Sequence, residues 1–264
     1  MKKLFAIVIA FALIISGCTK KSNQTGDNKI ILGVSPVPHA EIAEALKDEF
    51  KKEGLELEIK VFDDYVQPNL ALDQGDIDAN FFQHEPYLKD FCEQRNLNLV
   101  SVGKVHIEPI GFYSTKIKSI DDLKDGDSVL IPNDATNGKR ALLLLEREGV
   151  ITLKTTEGDI TEKDIDKNPK NLKFEAADAA NLTNLYQDVT IAAINTNYAL
   201  MAELKPSKDA LILEDKDSPY ANIIAVKAEN KDSEKIKKLV KIFNSDACKN
   251  FINEKYADEI FPAF

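Results

Sequence analysis

The sequence predicts an α/β fold of two lobes, and three observations carry that reading. Short apolar, β-branched runs alternate with amphipathic helical patterns along the chain; the alternation begins afresh near residue 129; and the folded part is about 235 residues, long for one core but comfortable for two of about 100 each. Alternating strands and helices of this kind predict parallel sheets covered on both faces.

The elements follow in order from local patterns. Residues 30–34 (IILGV) read as a buried strand, and 39–52 as an amphipathic helix stopped by Gly54. A strand at 57–62 and a short helix at 68–74, closed by Gly75, come next. A short strand at 78–82, a helix at 85–94 and strands at 97–105 and 110–113 complete the first run. Residues 119–126 form a capped short helix with a glycine stop. The second run has a strand at 129–131, a helix at 136–148 stopped by Gly149, a strand at 172–175, a helical turn at 182–186 and a β-branched strand at 190–194. A helix at 197–204 with Pro206 beyond it, a turn at 216–219, a strand at 223–226 and a helical stretch at 233–256 follow. Residues 155–171 lack periodicity and read as surface loops with a turn of helix. We expect lobe 1 to comprise residues 29–113 and 215–264, and lobe 2 residues 114–214.

The first 17 residues join a lysine-bearing start to an apolar run too short to span a bilayer comfortably, a secretory signal. Ile15-Ser16-Gly17-Cys18 resembles the bacterial lipobox, which makes Cys18 the lipidation site. The polar residues 18–28 read as a flexible tether, so the expected location is the cell envelope, lipid-anchored to the membrane on its extracytoplasmic side. The formal net charge is −10, and loss of the leader with its two lysines leaves the body more acidic. That balance argues against nucleic-acid partners and against a basic membrane-docking face. Cys92 and Cys248 either pair or stay free; sequence leaves both open.

Catalytic signatures are missing: no GxSxG, HExxH, GxGxxG after a strand or paired CxxC occurs. No cofactor is expected, and the chain does not read as an enzyme. The stretch Pro132–Leu145 (PNDATNGKRALLLL) stands between a strand and a helix, where anions bind. As a phosphate loop it fails, with Asn133 in place of the first glycine and Arg140 in place of the magnesium-binding hydroxyl. The three histidines, His39, His84 and His106, lack helical metal spacing, and each reads as a local hydrogen-bonding group; an exported zinc-binding protein is the reading that their convergence with carboxylates would favour.

Several stretches together resemble the methionine-binding lipoproteins of ABC importers, the MetQ or NlpA family. They are Gly33–Ile42 (GVSPVPHAEI), Asp78–Leu88 (DANFFQHEPYL), Pro132–Leu145, Ala193–Ala199 (AINTNYA) and Glu214–Asn222 (EDKDSPYAN), in the family's order and over nearly the whole mature chain. The resemblance implies a two-lobed periplasmic-binding-protein fold of type II character, each lobe a mixed sheet flanked by helices, with the ligand in the cleft between lobes. It implies capture of methionine, taken here as the L-isomer, and delivery to an ABC permease with its ATPase subunit. Carried over by position, Arg140 binds the ligand carboxylate, Asn195 and Asn222 hold its backbone groups, and Tyr65, Phe82, His84 and Tyr87 line the side-chain pocket. Two departures stand out: Ala177–Leu182 lacks the family's usual Gln-Leu-Pro-Arg, and Asn-Gly-Lys-Arg replaces the commoner Asn-Leu-Gly-Arg.

The residues agree with those roles. A buried carboxylate must be paired and hydrogen-bonded, and a guanidinium fork can answer it bidentately. A cation in the first turn of a helix opposes the helix dipole, so Arg140 there points to a bound anion. Aromatic rims suit a thioether. The alternative within the same fold is another cargo, a different amino acid or a methionine-containing dipeptide.

Overall fold

The computed structural model describes residues 28–264. The leader, Cys18 and nearly all of the tether lie outside the described residues. Among the described residues no helix is long and apolar enough to cross a membrane.

The chain opens with β1 (Lys29–Val34), whose Ile30, Leu32 and Val34 alternate into the core. The helix expected at 39–52 is two pieces, α1 (Glu41–Ala45) and α2 (Lys47–Lys52), which meet at Leu46 with φ −91° and ψ 2°. His39 precedes them, in a wider turn over Pro36–Ala40. Then come β2 (Glu56–Val61), α3 (Gln67–Gln74), β3 (Ala79–His84), α4 (Glu85–Arg95) and β4 (Leu99–Ile107). Gly75 closes α3 at φ +81°, where a side chain would be strained.

The second run holds β5 (Gly111–Tyr113), β6 (Ser128–Pro132), α5 (Ala135–Arg147), β7 (Thr152–Leu153), β8 (Ile165–Lys167), β9 (Lys173–Ala177), α6 (Leu182–Leu185) and β10 (Ile191–Ile194). It ends with α7 (Thr196–Met201), α8 (Pro206–Asp209) and β11 (Ile212–Leu213). The chain then returns through β12 (Ala221–Lys227), α9 (Glu234–Phe243), α10 (Asp246–Lys255) and β13 (Phe261–Pro262). The long C-terminal helix is therefore broken. Ser245 starts a new helix, its side chain accepting from the Cys248 N–H at 3.3 Å, a capping role that favours two helices over one. Residues 155–171 are loops with a turn of helix at Glu162–Asp164, as expected, and add only the short strand β8, which pairs with β7. Cys92 and Cys248 are both free.

One lobe is built on a six-stranded sheet in the order β13-β4-β12-β3-β1-β2, the other on a five-stranded sheet in the order β11-β5-β10-β6-β9. Both are mixed. The strands beside β1 and β6 are parallel, as βαβ crossovers require, but β12 lies antiparallel to both β3 and β4, and β5 antiparallel to β10. The antiparallel strands adjoin the points where the chain passes between lobes. A strand that enters a sheet directly, with no helical crossover, is free to run against its neighbours. The sheets follow the mixed pattern that the resemblance implied, not the parallel one read from alternation. β5 also corrects the expected first lobe: residues 111–113 hydrogen-bond within the five-stranded sheet, so the chain leaves the first sheet after Ile107.

Each sheet buries its own core. Ile30, Leu32, Val34, Phe81 and Val226 pack under Phe50, Leu239 and Phe243 in one lobe, and Val129, Ile131, Leu142, Leu145 and Ile191 in the other. The carboxyl ends of β3, β6 and β10 turn toward the boundary between the sheets, the place where α/β sheets set their ligands.

Gly138 is required by this geometry. A Cβ there would lie 2.9 Å from the Pro132 carbonyl oxygen, so only glycine lets α5 start this close to the end of β6. Gly138→Ala is expected to destabilise the protein by about 1–3 kcal/mol, the usual range for overpacking against backbone, read as a fall in the midpoint of chemical denaturation.

Candidate functional site

The polar wall of the cleft is organised by the first turn of α5. The Asp134 side chain caps the helix, accepting from the Asn137 N–H at 2.8 Å. Both of its oxygens also accept from Asn137 Nδ2 at 3.0 Å. With its nitrogen so held, Asn137 turns Oδ1 inward, where it accepts from Arg140 Nη1 at 3.1 Å, Asn195 Nδ2 at 3.0 Å and His84 Nε2 at 3.1 Å. His84 ends β3 and caps α4, and its Nδ1 accepts from the Tyr87 N–H at 3.1 Å. The imidazole proton therefore sits on Nε2, which donates to Asn137. Burial, and then the nearby Arg140 charge, push the His84 pKa down to about 3, so the ring is neutral at ordinary pH.

Arg140 is 3 % exposed and lies in the second turn of α5, because the helix begins at Ala135. The first-turn placement expected from sequence is corrected by one turn, and the dipole argument weakens accordingly. Its bidentate face is turned to Glu214, with Nε 3.3 Å and Nη2 2.5 Å from the two carboxylate oxygens. Nη2 also donates to the Glu108 carbonyl oxygen at 3.0 Å, and the guanidinium lies 4.4 Å from the centre of the Tyr220 ring. One Nη1 hydrogen remains beyond these bonds.

Across the cleft, Glu108 follows β4. Its Oε1 accepts from His106 Nε2 at 2.6 Å and lies 3.2 Å from His39 Nε2. His39 Nε2 is also 3.1 Å from Asn222 Oδ1. Two acceptors around one nitrogen place the His39 proton on Nε2. Burial lowers the pKa values of His39 to about 4 and of His106 to about 3, and raises that of Glu108 against the pull of His39 and Arg140. The ligand atoms of His39, His106 and Glu108 all lie within 4.8 Å of one another, a spacing that a divalent metal could bridge. Two of the three histidines thus converge on a carboxylate, which sequence spacing did not show; His84 stands apart on Asn137.

Aromatic rings form the third wall. Tyr65, in the loop after β2, lies 5.9 Å from Phe82 and 5.8 Å from Tyr87, centre to centre. Its hydroxyl donates to Asn197 Oδ1 at 2.5 Å, tying the two lobes together, and Tyr87 donates to the Tyr65 carbonyl oxygen at 3.0 Å. Among the described residues, two buried polar atoms of the cavity lining have no protein partner: Asn195 Oδ1, an acceptor, and Asn197 Nδ2, a donor.

These walls enclose a narrow cavity between the two lobes. All seven residues singled out in the sequence line it: Tyr65, Phe82, His84, Tyr87, Arg140, Asn195 and Asn222. Gln83, Glu108, Asn137, Thr196 and Asn197 line it too and were missed. Asn137 carried a signal, three residues after a capping aspartate. Glu108 had none, being one acid among many until the fold buries it. Asn222 lies within β12, not before it as the sequence reading had it, and faces His39.

Comparison with known proteins adds the following. Residues 30–264 match the family described as NlpA lipoprotein. The D-methionine-binding lipoprotein MetQ of Salmonella typhimurium is 46% identical over 250 residues, covering 92% of each chain. The methionine-binding lipoprotein MetQ of Bacillus subtilis is 40% identical over 271 residues, 99% of each. A nutrient-binding protein from Burkholderia cenocepacia, solved bound to methionine, superimposes with a TM-score of 0.87 at 47% identity, covering 89% of this chain and 100% of that one.

Asp134→Ala removes the cap of α5 and the clamp on Asn137 together. The expected loss is about 1–2 kcal/mol of stability, seen as a lower melting temperature in differential scanning calorimetry; an unchanged melting temperature would show that the cap contributes nothing.

Proposed function

The chain belongs to the NlpA lipoprotein family, and from that membership and the chemistry of the cleft we propose that it is the substrate-binding protein of an ABC-type importer, with methionine as cargo. It works by binding, not catalysis. The observation that carries the reading is the meeting of opposite demands in one buried cavity: a guanidinium and an unpartnered donor, Asn197 Nδ2, together with a carboxylate and an unpartnered acceptor, Asn195 Oδ1. A free amino acid carries the complementary pair.

In this reading the ligand carboxylate meets the remaining Nη1 hydrogen of Arg140 and Asn197 Nδ2, within the field of the buried cation. Arg140 is a single-hydrogen donor to the ligand, since its fork is spent on Glu214. The ammonium group meets Glu108 and Asn195 Oδ1. Asn222 sets the Glu108 side of the cleft through His39. The thioether runs between Tyr65, Phe82 and Tyr87, where sulfur at a ring edge gains about 0.3–1.5 kcal/mol.

The two lobes divide where the chain crosses, at residues 108–110 and 214–220, and closure about these crossings would exclude water from the ion pairs. Lipid on Cys18 would hold the body at the outer face of the membrane, beside the permease and ATPase subunits to which it passes cargo. Relatives carry names for both methionine and D-methionine, so both isomers belong in the test. A dipeptide would require space beyond the ammonium, where Glu108 is backed by two buried imidazoles.

Native mass spectrometry of the purified protein is expected to show one bound mass equal to methionine. Arg140→Ala should weaken L-methionine by about a hundredfold or more in calorimetry, the scale for losing a buried charged donor; unchanged affinity would remove the residue from the site. Phe82→Ala should weaken methionine about tenfold or more and alanine much less, whereas equal losses would reject the thioether pocket.

A further inference from the structure

The His39–Glu108–His106 cluster does more than close the end of the cavity. Among the described residues, Glu108 is a nearly buried carboxylate with no lysine or arginine paired to its side chain. Arg140, the nearest guanidinium, bonds its main-chain oxygen and spends its charge on Glu214. The phenols of Tyr65 and Tyr256 lie near Glu108 without adding positive charge, and the Tyr256 hydroxyl is turned to Glu41. What reaches the Glu108 oxygens is neutral: the Nε2–H groups of His39 and His106, and the Asn197 main-chain N–H.

Neutral donors have a definite consequence. They orient a carboxylate and favour its ionised form, but they leave the negative charge uncancelled. A buried charge of that kind is stabilised further when a cation arrives. Both imidazole Nδ1 atoms lack partners, so neither ring is held as an imidazolium by a second acceptor. The cluster is built to stay one charge short.

We propose that His39 and His106 are positioning residues which, as neutral Nε2–H donors, aim Glu108 into the cavity and favour its ionised form, the form that receives the ligand's ammonium group. This rests on the reading above that the ammonium meets Glu108. The sign follows from competition. Burial raises the Glu108 pKa in the empty site, and the ammonium lowers it again in the complex, so binding releases a proton wherever the empty site is partly protonated and weakens as pH falls. Removing an imidazole donor raises the Glu108 pKa further and moves this acid limb to higher pH.

The test is titration calorimetry of L-methionine binding from about pH 5 to about pH 8, in two buffers of different ionisation enthalpy, on the full-length protein. For the unaltered protein, the buffer dependence should report net proton release toward the acid end; no release, or uptake, overturns the proposal and needs no variant. His106→Leu should weaken binding about tenfold near pH 6, the scale of one hydrogen bond to a charged group, and should shift the acid limb upward. His106→Gln, which restores an N–H donor, should return the limb toward its original position. If Glu108→Gln binds as tightly as the unaltered protein, the ammonium assignment itself fails. If Glu108→Gln is weakened while the His106→Leu profile superimposes on the original, only the positioning role fails. Stoichiometric zinc by elemental analysis, lost in His106→Leu, would instead make the cluster a metal site and overturn the proposal.

Discussion

Everything in the cleft hangs on the side-chain oxygen of Asn137. One atom accepts from Arg140, Asn195 and His84, which come from α5, the loop after β10 and the end of β3. Two of these belong to one lobe and the third to the other. A single acceptor shared by three donors aligns them more strictly than three separate contacts would, because each must meet the same point. Asp134 makes this possible by holding the amide nitrogen on the far side, and Gly138 by letting the helix approach β6.

Charge in the site follows from burial. The buried guanidinium already has its ion-pair partner in Glu214, so what it offers a ligand carboxylate is its one remaining N–H and not an unpaired fork. Glu108 stands opposite, hydrogen-bonded but not neutralised. His84, His39 and His106 are all held neutral by desolvation, and each acts through an Nε2–H. The same residue type thus serves twice as a fixed dipole: His84 docks the aromatic lobe onto Asn137, and the other two frame a carboxylate.

The aromatic wall also joins the lobes. The Tyr65 hydroxyl reaches Asn197 and the Tyr198 hydroxyl reaches the Asp63 carbonyl oxygen at 3.0 Å, so the loop after β2 meets α7 through two phenols. Ligand side chain and interlobe contact share one surface. A cargo that filled the aromatic pocket would bear directly on how the lobes meet, which links recognition to closure without any longer path.

The sequence by itself determined the alternation of strands and helices, the capped starts of the short helices and the family stretches that hold six of the seven cavity residues singled out, Tyr65 lying outside them. These are legible because periodicity, caps and motifs are local. It did not show that β12 and β5 run against their neighbours, that β5 joins the second sheet, or that the last helical stretch breaks at Ser245, since pairing direction and breaks within an apolar pattern are set by distant partners. Nor did it show Glu108. Only the tertiary structure brings His39, from the turn after β1, and His106, from β4, to one carboxylate, and only burial turns these three groups from ordinary surface chemistry into a site. The sequence likewise read Arg140 as a free fork. The fold spends that fork on Glu214, a residue 74 positions away, because a guanidinium buried in the cleft needs a permanent counter-charge before any ligand arrives.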